Sequence, residues 1–399
     1  MPLVTIVIPT RNRQNCASTL VKKILNSVND CEVVVCDNSD DENLGLLLAE
    51  VINDPRLVYT YYTSTLSVVE NFNLGLDASQ GDFVTFIGDD DLLGPDFERI
   101  VKWAKANDID LLQSNSRGRA LQYFWPGVKS KNWQNIDGSL YFSDFSGNIE
   151  KLDVHLAMKD AMFHLGCGPM NMPRAYLGLM SRKVLQKIHH HYGSLFGGFS
   201  PDVYSSQLLS NIKAKAFGID YPLIIPGVCS LSTSAARSEG SDIGNLDNPR
   251  GLVANDHIGR FSSIVWDKRV PIYYAPYTVW AQSHLKALEK THVSATAKAF
   301  AHLYATCLCF TPKQFREVFE AIRYERNLFQ TIFMITLTGL MLNFVVGKYI
   351  LEKFPLVIYR KPGGAKYQIS DLSDSSEATN EMSSWFANNN IKFQYTILK

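Results

Sequence analysis

The sequence predicts an α/β fold with a mostly parallel central sheet flanked by helices. Apolar runs of strand length alternate with segments in which apolar residues recur at helical spacing, which is typical of such sheets. Two of the runs, Val4–Ile8 and Glu32–Cys36, are dominated by β-branched and apolar residues. This composition indicates strands that are buried on both faces. Polar residues follow each run directly, so we also expect a polar site at one edge of the sheet.

The remaining elements of about the first ninety residues follow from turn residues and helical spacing. Pro9 ends the first strand, and a polar stretch follows it. In chain order the pattern then predicts a helix marked by Leu20, Ile24 and Leu25, a helix over 44–52, a strand over 57–62, a helix over 68–76 and a strand over 83–87. Strands and helices therefore alternate throughout this part of the chain.

The last of these strands runs directly into the carboxylate triplet, which consists of Asp89, Asp90 and Asp91. Adjacent carboxylates repel each other and are costly to hold at a strand end unless a cation neutralises them. Hard oxygen ligands suit Mg²⁺ or Mn²⁺, with waters and substrate phosphates in the remaining positions. Taken alone, the triplet also fits a solvated acidic turn.

The position of the triplet favours a site over a turn. Pro9 and Thr10 end the first strand, and Asp37 follows the second. Because the carboxyl ends of parallel strands meet at one edge of a sheet, we expect these residues beside the carboxylate triplet. Three polar strand ends at one edge indicate a ligand site more strongly than any one of them.

Several segments in this region carry a resemblance to a known enzyme family. They are Val4–Arg13, Glu32–Ser39, Glu70–Leu76, Gln80–Asp91 and the Leu-Leu-Gly-Pro sequence that follows. In this order and spacing they resemble family 2 glycosyltransferases with the GT-A fold, of the type that builds bacterial surface polysaccharides. The resemblance covers about the first hundred residues. It implies a GT-A fold and a nucleotide-sugar donor, but it leaves the sugar open.

The resemblance also implies roles for the residues on the nucleotide side. In this family the first strand end and the loop after it line the nucleotide, which makes Pro9, Thr10, Arg11 and Arg13 nucleotide-sugar contacts. The acidic residue after the second strand reaches the base, and Asp37 occupies that position. An Asx turn formed by Asp37 is the structural alternative, and it is compatible with base contact.

The carboxylate triplet receives its roles in the same way. The resemblance places Asn71 near the ribose or base, Asp89 on the ribose, and Asp90 on the sugar or ribose. It places Asp91 on a Mn²⁺ or Mg²⁺ ion bound to the diphosphate. The chemistry requires positive charge there, because the leaving diphosphate gains negative charge as the glycosidic bond breaks.

An inverting transferase also needs a base for the acceptor hydroxyl, and the candidate is Asp202. Pro201 before it indicates a helix start, where a carboxylate also complements the helix dipole. The family usually has a Glu-Asp pair at this point, whereas this chain has Pro-Asp. Three other aspartates remain alternatives for the base: Asp160, Asp220 and Asp256.

The composition fits a cytoplasmic enzyme. The 39 Lys and Arg residues balance the 39 Asp and Glu residues, so no general attraction to nucleic acid is expected. The seven cysteines are scattered without Cys-x-x-Cys spacing, which fits a reducing compartment. No signal sequence precedes the first strand, so we expect a cytoplasmic location.

A long uncharged segment marks the C-terminal third. The residues from 276 to 326 have an amphipathic helical pattern, and the next 21 residues, 327–347, contain no charged side chain. That length suffices to span a bilayer, but the polar positions within it favour a helix lying on a membrane or packed on a partner. Basic residues follow, which suits an anionic membrane surface. A buried helix or a homo-oligomer contact is an equal alternative.

These observations divide the chain into three regions. We expect a GT-A catalytic domain over 1–260, a helical extension over 261–365 that contacts a membrane or a second copy, and a polar, acidic tail over 366–399. Within the tail, the Ser-rich segment 370–384 is expected to be mobile.

The resulting hypothesis is an inverting glycosyltransferase that uses Mn²⁺ or Mg²⁺. It would move a sugar from a nucleotide-diphosphate sugar, most simply a UDP-sugar, to a glycan or lipid-linked glycan acceptor. The resemblance implies a role in lipopolysaccharide, O-antigen or capsule synthesis at the inner face of the cytoplasmic membrane. One alternative is a nucleotidyltransferase with the same metal carboxylates, although the loop from Pro9 to Asn15 lacks the glycines typical of that class. The other is a non-catalytic GT-A scaffold.

Overall fold

The structure is a computed structural model, and it describes residues 1–130, 133–232, 235, 243, 244, 246, 257–261 and 265–398. At 352–358 and 397–398 it describes the backbone alone. The strands in the described residues are β1 (Val4–Thr10), β2 (Cys31–Asp37), β3 (Leu57–Tyr61), β4 (Phe83–Phe86), β5 (Leu92–Leu93), β6 (Leu111–Gln113), β7 (Leu121–Phe124), β8 (Ser139–Phe142), β9 (Ile149–Lys151), β10 (Gly178–Ser181), β11 (Ala216–Ile219), β12 (Ile224–Ile225), β13 (Gly227–Val228), β14 (Tyr367–Ile369) and β15 (Ile397–Leu398).

The helices are α1 (Gln14–Ser27), α2 (Asn43–Leu47), α3 (Val68–Ala78), α4 (Phe97–Ala106), α5 (Val154–Phe163), α6 (Arg182–Tyr192), α7 (Pro201–Asn211), α8 (Pro276–Lys290), α9 (Ala297–Phe310), α10 (Phe315–Arg323), α11 (Leu328–Tyr359) and α12 (Ser375–Asn388).

A nine-stranded sheet forms the centre of the fold, in the order β15-β9-β11-β6-β10-β4-β1-β2-β3. The strands β4, β1, β2 and β3 pair in parallel, as do β11 with β6 and β15 with β9. The strand β10 runs antiparallel to both of its neighbours. The predicted α/β class with a mostly parallel central sheet and C-terminal helices is therefore confirmed.

The strands β1 and β2 are buried along their whole length, as their composition predicts. Apolar residues of α1 cover one face of the sheet, with Leu20, Ile24 and Leu25 among them. The helix α3 starts at Ser67, whose hydroxyl accepts a hydrogen bond from the Glu70 amide while the Glu70 carboxylate accepts one from the Ser67 amide. This capping box fixes the start of the helix.

Two small sheets lie beside the central sheet, near the edge that carries the triplet. The strand β5 follows the carboxylate triplet directly and pairs with β12. The strand β13 pairs with β7 in a four-stranded sheet of the order β13-β7-β8-β14. This pairing brings the strands β7, β12 and β13 close to the triplet.

Four helices, α8 to α11, form a second apolar core. The predicted helical pattern of 276–326 corresponds to α8, α9 and α10, and the uncharged segment 327–347 lies within α11. Residues Leu328–Leu351 of α11 are long and apolar enough to cross a bilayer, and only 22% of the most apolar stretch is buried. Length and composition alone are weak evidence for a membrane span, because core helices of soluble proteins share them.

The last segment of the chain returns to the central sheet. The strand β14 pairs with β8, and β15 extends the central sheet beside β9. Between them, α12 buries Ala378, Met382 and Phe386 in the main core. The expected mobility of 370–384 is wrong, because these apolar residues recur every fourth position and form a stripe among the serines. The region boundaries stay a prediction.

We expect Phe386→Ala to lower the free energy of unfolding by about 3–5 kcal/mol. Phe386 is 2% exposed, and its ring lies 5.9 Å from that of Phe145 and 5.2 Å from that of Tyr221, so truncation leaves a cavity. Urea denaturation measures the change. Ser383→Ala, on the exposed face of the same helix, is the control and should change stability by less than about 0.5 kcal/mol. Equal changes in the free energy of unfolding for the two substitutions would mean that α12 is not packed against the main core.

Candidate active site

The carboxyl ends of β1, β2 and β4 meet at one edge of the sheet, as predicted. Pro9 pairs with Cys36, and Thr10 pairs with Asp37 in the parallel register. The Thr10 hydroxyl donates a hydrogen bond of 2.6 Å to Asp89 Oδ2. The strand ends therefore join the carboxylate triplet in one buried cluster.

Arg13 is the cation of this cluster. Its Nε lies 3.1 Å from Asp89 Oδ1, and its Nη1 lies 3.3 Å from Asp90 Oδ1. Burial raises the pKa of Asp89 to about 7, against the opposing effect of Arg13. Burial alone would lower the pKa of Arg13, but Asp89 and Asp90 outweigh it and raise that pKa. Arg13 therefore contacts two of the three carboxylates, and the cluster favours a further positive charge.

Asp91 is buried in the cluster and accepts three hydrogen bonds. The amide of Gly227 donates to Oδ1 at 2.7 Å, and the amide of Gly88 donates to Oδ2 at 2.9 Å. The Tyr176 hydroxyl also donates to Oδ2, at 2.7 Å. Burial and the charge of Asp90 raise the pKa of Asp91 to about 6, although these donors oppose the shift. These three donors thus fix the orientation of the Asp91 carboxylate.

Two further groups from distant parts of the chain hold Asp90. The amide of Cys229 donates to Oδ2 at 3.1 Å, and Trp125 Nε1 donates to the Asp90 carbonyl at 2.7 Å. Sequence reasoning missed these residues, along with Tyr176 and Gly227. Among these four residues, only Gly227 has a sequence signal, because it follows Pro226. Trp125, Tyr176 and Cys229 belong to no motif near the triplet.

Three oxygen atoms converge on the position that a side chain of residue 88 would occupy. A Cβ atom at this position would lie 2.2 Å from Tyr176 Oη, 2.9 Å from Asp91 Oδ2 and 3.3 Å from Asp90 Oδ1. A side chain there would fill the space on which these three oxygens converge. Glycine at this position therefore keeps two carboxylate oxygens accessible from one point.

Two carboxylate oxygens, from Asp90 and Asp91, converge beside Gly88 and are of the ligand type that Mg²⁺ and Mn²⁺ prefer. Across the described residues, no group of three or more His, Cys, Asp or Glu side chains is arranged to hold a metal. A metal would therefore need oxygens from the substrate and water as well, which is how Mg²⁺ is usually bound at phosphate sites.

Asp37 is fully buried beside the cluster. Its Oδ1 accepts a hydrogen bond of 2.9 Å from the Ser39 amide, which is the Asx turn expected as an alternative. Its Oδ2 accepts one of 3.0 Å from the Tyr59 hydroxyl. Burial and the charge of Asp37 raise the pKa of Tyr59, so this hydroxyl remains a donor. The carboxylate is oriented at the strand end but has no contact with the triplet.

Asn71 and Arg11 flank the same edge. The Asn71 amide donates a hydrogen bond of 3.2 Å to the Cys36 carbonyl, while its Oδ1 is buried and has no partner within the described residues. Arg11 Nη2 lies 3.1 Å from Asp40 Oδ1, which ties the loop after β1 to the loop after β2. An unsatisfied buried acceptor such as Asn71 Oδ1 is consistent with a ligand contact.

Asp202 lies apart from the triplet, in the first turn of α7, where the sequence predicts a helix start. It is half-buried, and its Oδ1 accepts a hydrogen bond of 3.3 Å from the Ser200 hydroxyl. Of the alternative bases, Asp160 lies 3.1 Å from His164 Nδ1, and Asp220 is buried and paired with Arg119. Asp256 lies outside the described residues.

Residues 5–151 match the family model described as glycosyl transferase family 2. This region of the chain is therefore similar to glycosyltransferase family 2. It includes the predicted site residues from Pro9 to Asp91 but not Asp202, and the roles of all these residues stay predictions.

Two curated relatives are similar to parts of this chain. The GalNAc(5)-diNAcBac-PP-undecaprenol β-1,3-glucosyltransferase of Campylobacter jejuni is 35% identical over 96 residues, which are 23% of this chain and 31% of the relative. An uncharacterised glycosyltransferase of Haemophilus influenzae is 25% identical over 118 residues, which are 29% of this chain and 47% of the relative. The chain therefore spans less than half the length of either relative.

Solved structures of S. aureus TarS are also similar to this chain. Residues 1–349 of TarS in complex with UDP-GlcNAc align over 98% of this chain and 93% of that chain, with 10% identity and a TM-score of 0.46. The same TarS segment without the ligand aligns with 12% identity and a TM-score of 0.43. Likeness at this level supports no argument about substrate or mechanism.

We expect Mn²⁺ to stabilise the protein in a pH-dependent way. The raised pKa values of Asp89, about 7, and Asp91, about 6, mean that the folded state binds these protons more tightly than the unfolded chain. That contribution to stability is complete below about pH 4 and is lost as the pH rises through 6 and 7. A metal would replace the missing protons, so Mn²⁺ should raise the melting temperature by several degrees at about pH 7.5 and by much less at about pH 5.5.

Thermal unfolding with and without Mn²⁺ at both pH values checks this expectation. The variant Asp91→Asn should lose most of the increase at the higher pH. Glu50→Gln removes a carboxylate that is 81% exposed and should behave as the unmodified protein. A metal effect that is equal at both pH values would contradict the assignment.

Proposed function

We propose that this protein is an inverting glycosyltransferase that moves a sugar from a nucleotide-diphosphate sugar to a glycan or lipid-linked glycan acceptor. The observation that carries the proposal is the buried cluster of Arg13 and the carboxylate triplet at the carboxyl edge of the parallel strands. An excess of carboxylates at that edge calls for a divalent cation and an anionic ligand together. A nucleotide diphosphate with Mg²⁺ or Mn²⁺ meets both requirements.

The donor would lie along the edge from Asp37 to the triplet. The oriented carboxylate of Asp37 and the unsatisfied Oδ1 of Asn71 suit the hydrogen-bond donors of a base such as uracil. Asp89 and Asp90 would reach the ribose and sugar hydroxyls. Asp91 and Asp90 would hold the metal, which supplies positive charge to the leaving diphosphate.

The reaction exchanges one bond at the anomeric carbon for another. The bond to the diphosphate oxygen breaks as the bond to the acceptor oxygen forms, and the electron pair leaves with the diphosphate. Asp202 would take the proton of the acceptor hydroxyl. Its half-buried position at the start of α7, away from the triplet, suits a base that acts on the face of the sugar opposite the leaving group.

The acceptor and the pathway follow from the relatives by analogy. The printed name of the Campylobacter jejuni relative describes a sugar transfer to an undecaprenol-linked glycan. For this chain we propose a lipid-linked acceptor in lipopolysaccharide, O-antigen or capsule synthesis. Such an acceptor would place the enzyme in the cytoplasm, at the inner face of the cytoplasmic membrane.

The helix α11 supports peripheral membrane contact, because several large apolar side chains lie on its exposed face. Thr331 and Thr338 are buried against the helical core, whereas Phe329 is 81% exposed and Phe333 56%. The Thr338 hydroxyl is satisfied by the Met334 carbonyl at 2.8 Å. Helices on soluble proteins place such aromatic residues inward. The outer face of α11 therefore suits an apolar environment.

Positive charges accompany this apolar face. On the neighbouring helix α10, Arg316 lies 5.9 Å from the ring centroid of Phe315, and Arg323 lies 5.7 Å from that of Phe319. Both rings are exposed. Arg360 and Lys361 follow the end of α11. Exposed aromatic rings beside basic side chains suit the interface of an anionic bilayer. A second copy of the chain is the alternative occupant.

Metal-dependent hydrolysis of a panel of nucleotide sugars tests the enzyme proposal. We expect Asp91→Ala to abolish hydrolysis and metal-dependent donor binding. Asp202→Asn should lower turnover with acceptor by about 10²–10⁴-fold, because it removes the base, while donor affinity stays within about two-fold.

Asp160→Asn is the matched control, since it removes a helix carboxylate that was an alternative base, and it should retain turnover. A large loss of donor affinity in Asp202→Asn would place Asp202 on the nucleotide instead. If no nucleotide sugar binds in the presence of Mn²⁺, the proposal fails.

Vesicle flotation tests the membrane proposal. We expect the protein to float with anionic vesicles more than with zwitterionic ones. Phe329→Ser with Phe333→Ser should weaken flotation by about tenfold or more, because each exposed ring loses its apolar contact. Leu46→Ser, at a residue that is 76% exposed in the N-terminal region, is the control. Absence of flotation together with a dimer mass in solution would assign the face to a second copy.

A further inference from the structure

Arg174 lies on a segment that borders the candidate active site. Two hydrogen bonds tie this segment to the end of β4: the Phe86 amide donates to the Ala175 carbonyl at 3.2 Å, and the Leu177 amide donates to the Phe86 carbonyl at 3.2 Å. The next side chain but one, Tyr176, reaches Asp91 of the triplet. The segment is therefore fixed beside the carboxylates.

The guanidinium of Arg174 is incompletely satisfied. Its Nη2 donates to the Met170 carbonyl, and its Nε is buried without a hydrogen-bond partner in the described residues. No carboxylate of the described residues forms an ion pair with it, although the charge of Asp202 acts on it from a greater distance. Burial lowers the pKa of Arg174, which shows that the charged form is poorly compensated.

A cation with a buried N–H donor that lacks a partner is costly. An anionic ligand would offset that cost, because an arginine presents N–H donors in a rigid fork that matches phosphate oxygens. Arg174 is two residues from Tyr176, which contacts the triplet, and the charge of Asp202 acts on it.

We propose that Arg174 binds a phosphoryl oxygen of a substrate between the carboxylate triplet and Asp202. The inference rests on the proposed glycosyltransferase function and adds a phosphate-binding residue to it. Two substrates carry this chemistry: the diphosphate of the nucleotide-sugar donor and the diphosphate of a lipid-linked acceptor. Binding would satisfy Nε and neutralise the guanidinium, and the anion would lie next to the metal carboxylates without touching Asp202.

Calorimetric titration with two probes distinguishes these sources. The probes are UDP and farnesyl diphosphate, each with Mn²⁺ and the full chain; GDP and dTDP replace UDP if the unmodified protein does not bind it. We expect Arg174→Met to weaken the affinity for one of the two diphosphates by roughly 10- to 100-fold, as for a lost charged hydrogen bond. The affinity for the corresponding nucleoside should stay unchanged. Arg174→Lys should recover part of the loss.

A loss for the nucleoside diphosphate assigns Arg174 to the donor, and a loss for farnesyl diphosphate assigns it to the acceptor. Guanidinium chloride added at millimolar concentration should partly restore diphosphate binding by Arg174→Ala, which a purely structural role would not allow. Lys105→Met removes an exposed cation paired with Asp82, away from the site, and should bind both probes normally.

Unchanged affinity for both probes in folded Arg174→Met and Arg174→Lys proteins would overturn the inference. That outcome differs from failure of the proposed function, in which the unmodified protein itself binds no nucleoside diphosphate. Circular dichroism of each variant establishes folding before titration. If Arg174→Met does not fold, the conservative Arg174→Lys variant and the rescue of Arg174→Ala decide the matter.

Discussion

Three carboxylates held out of water at one edge of the sheet impose the constraint on which the rest of this structure depends. Within the described residues, Arg13 contacts Asp89 and Asp90, and burial raises the pKa of Asp89 to about 7. Desolvation makes such a cluster unfavourable while its carboxylates are charged, and this cation offsets only part of the cost. Additional positive charge at this edge would therefore stabilise the charged carboxylates.

The protein holds this cluster with groups that are far apart in sequence. Gly227 at the start of β13 and Cys229 just after it donate hydrogen bonds from their backbone amides, and Tyr176, in the segment before β10, donates one from its hydroxyl. The small sheets that pair β5 with β12 and β13 with β7 bring the two amides to the triplet. The N-terminal strands thus supply the charges, and residues 176–229 supply several of the hydrogen bonds that orient them.

This division explains how far the sequence could predict the site. The strand ends and the triplet are local patterns, so Thr10, Asp37 and Asp89 were placed at one edge from hydrophobic periodicity and parallel pairing alone. Tyr176 carries no local mark of its role, and Gly227 has only the preceding proline as a signal, because these residues acquire their roles through tertiary contacts. The expected mobility of 370–384 is wrong for a related reason: average composition hides Ala378 and Met382, which continue at helical spacing to Phe386.

The helical region also takes part in shaping the site, beyond any contact with a membrane. The Ser283 hydroxyl of α8 accepts hydrogen bonds from the amides of Phe199 and Ser200, at 3.0 and 2.7 Å. Just before them, Gly198 has a φ of +65°, and a Cβ atom there would lie 2.9 Å from Ser283 Cα. The loop that leads to Asp202 therefore packs closely against α8, which belongs to the same apolar core as α9 and α11. The loop before Asp202 and the helix α11 are therefore connected through the packing of α8.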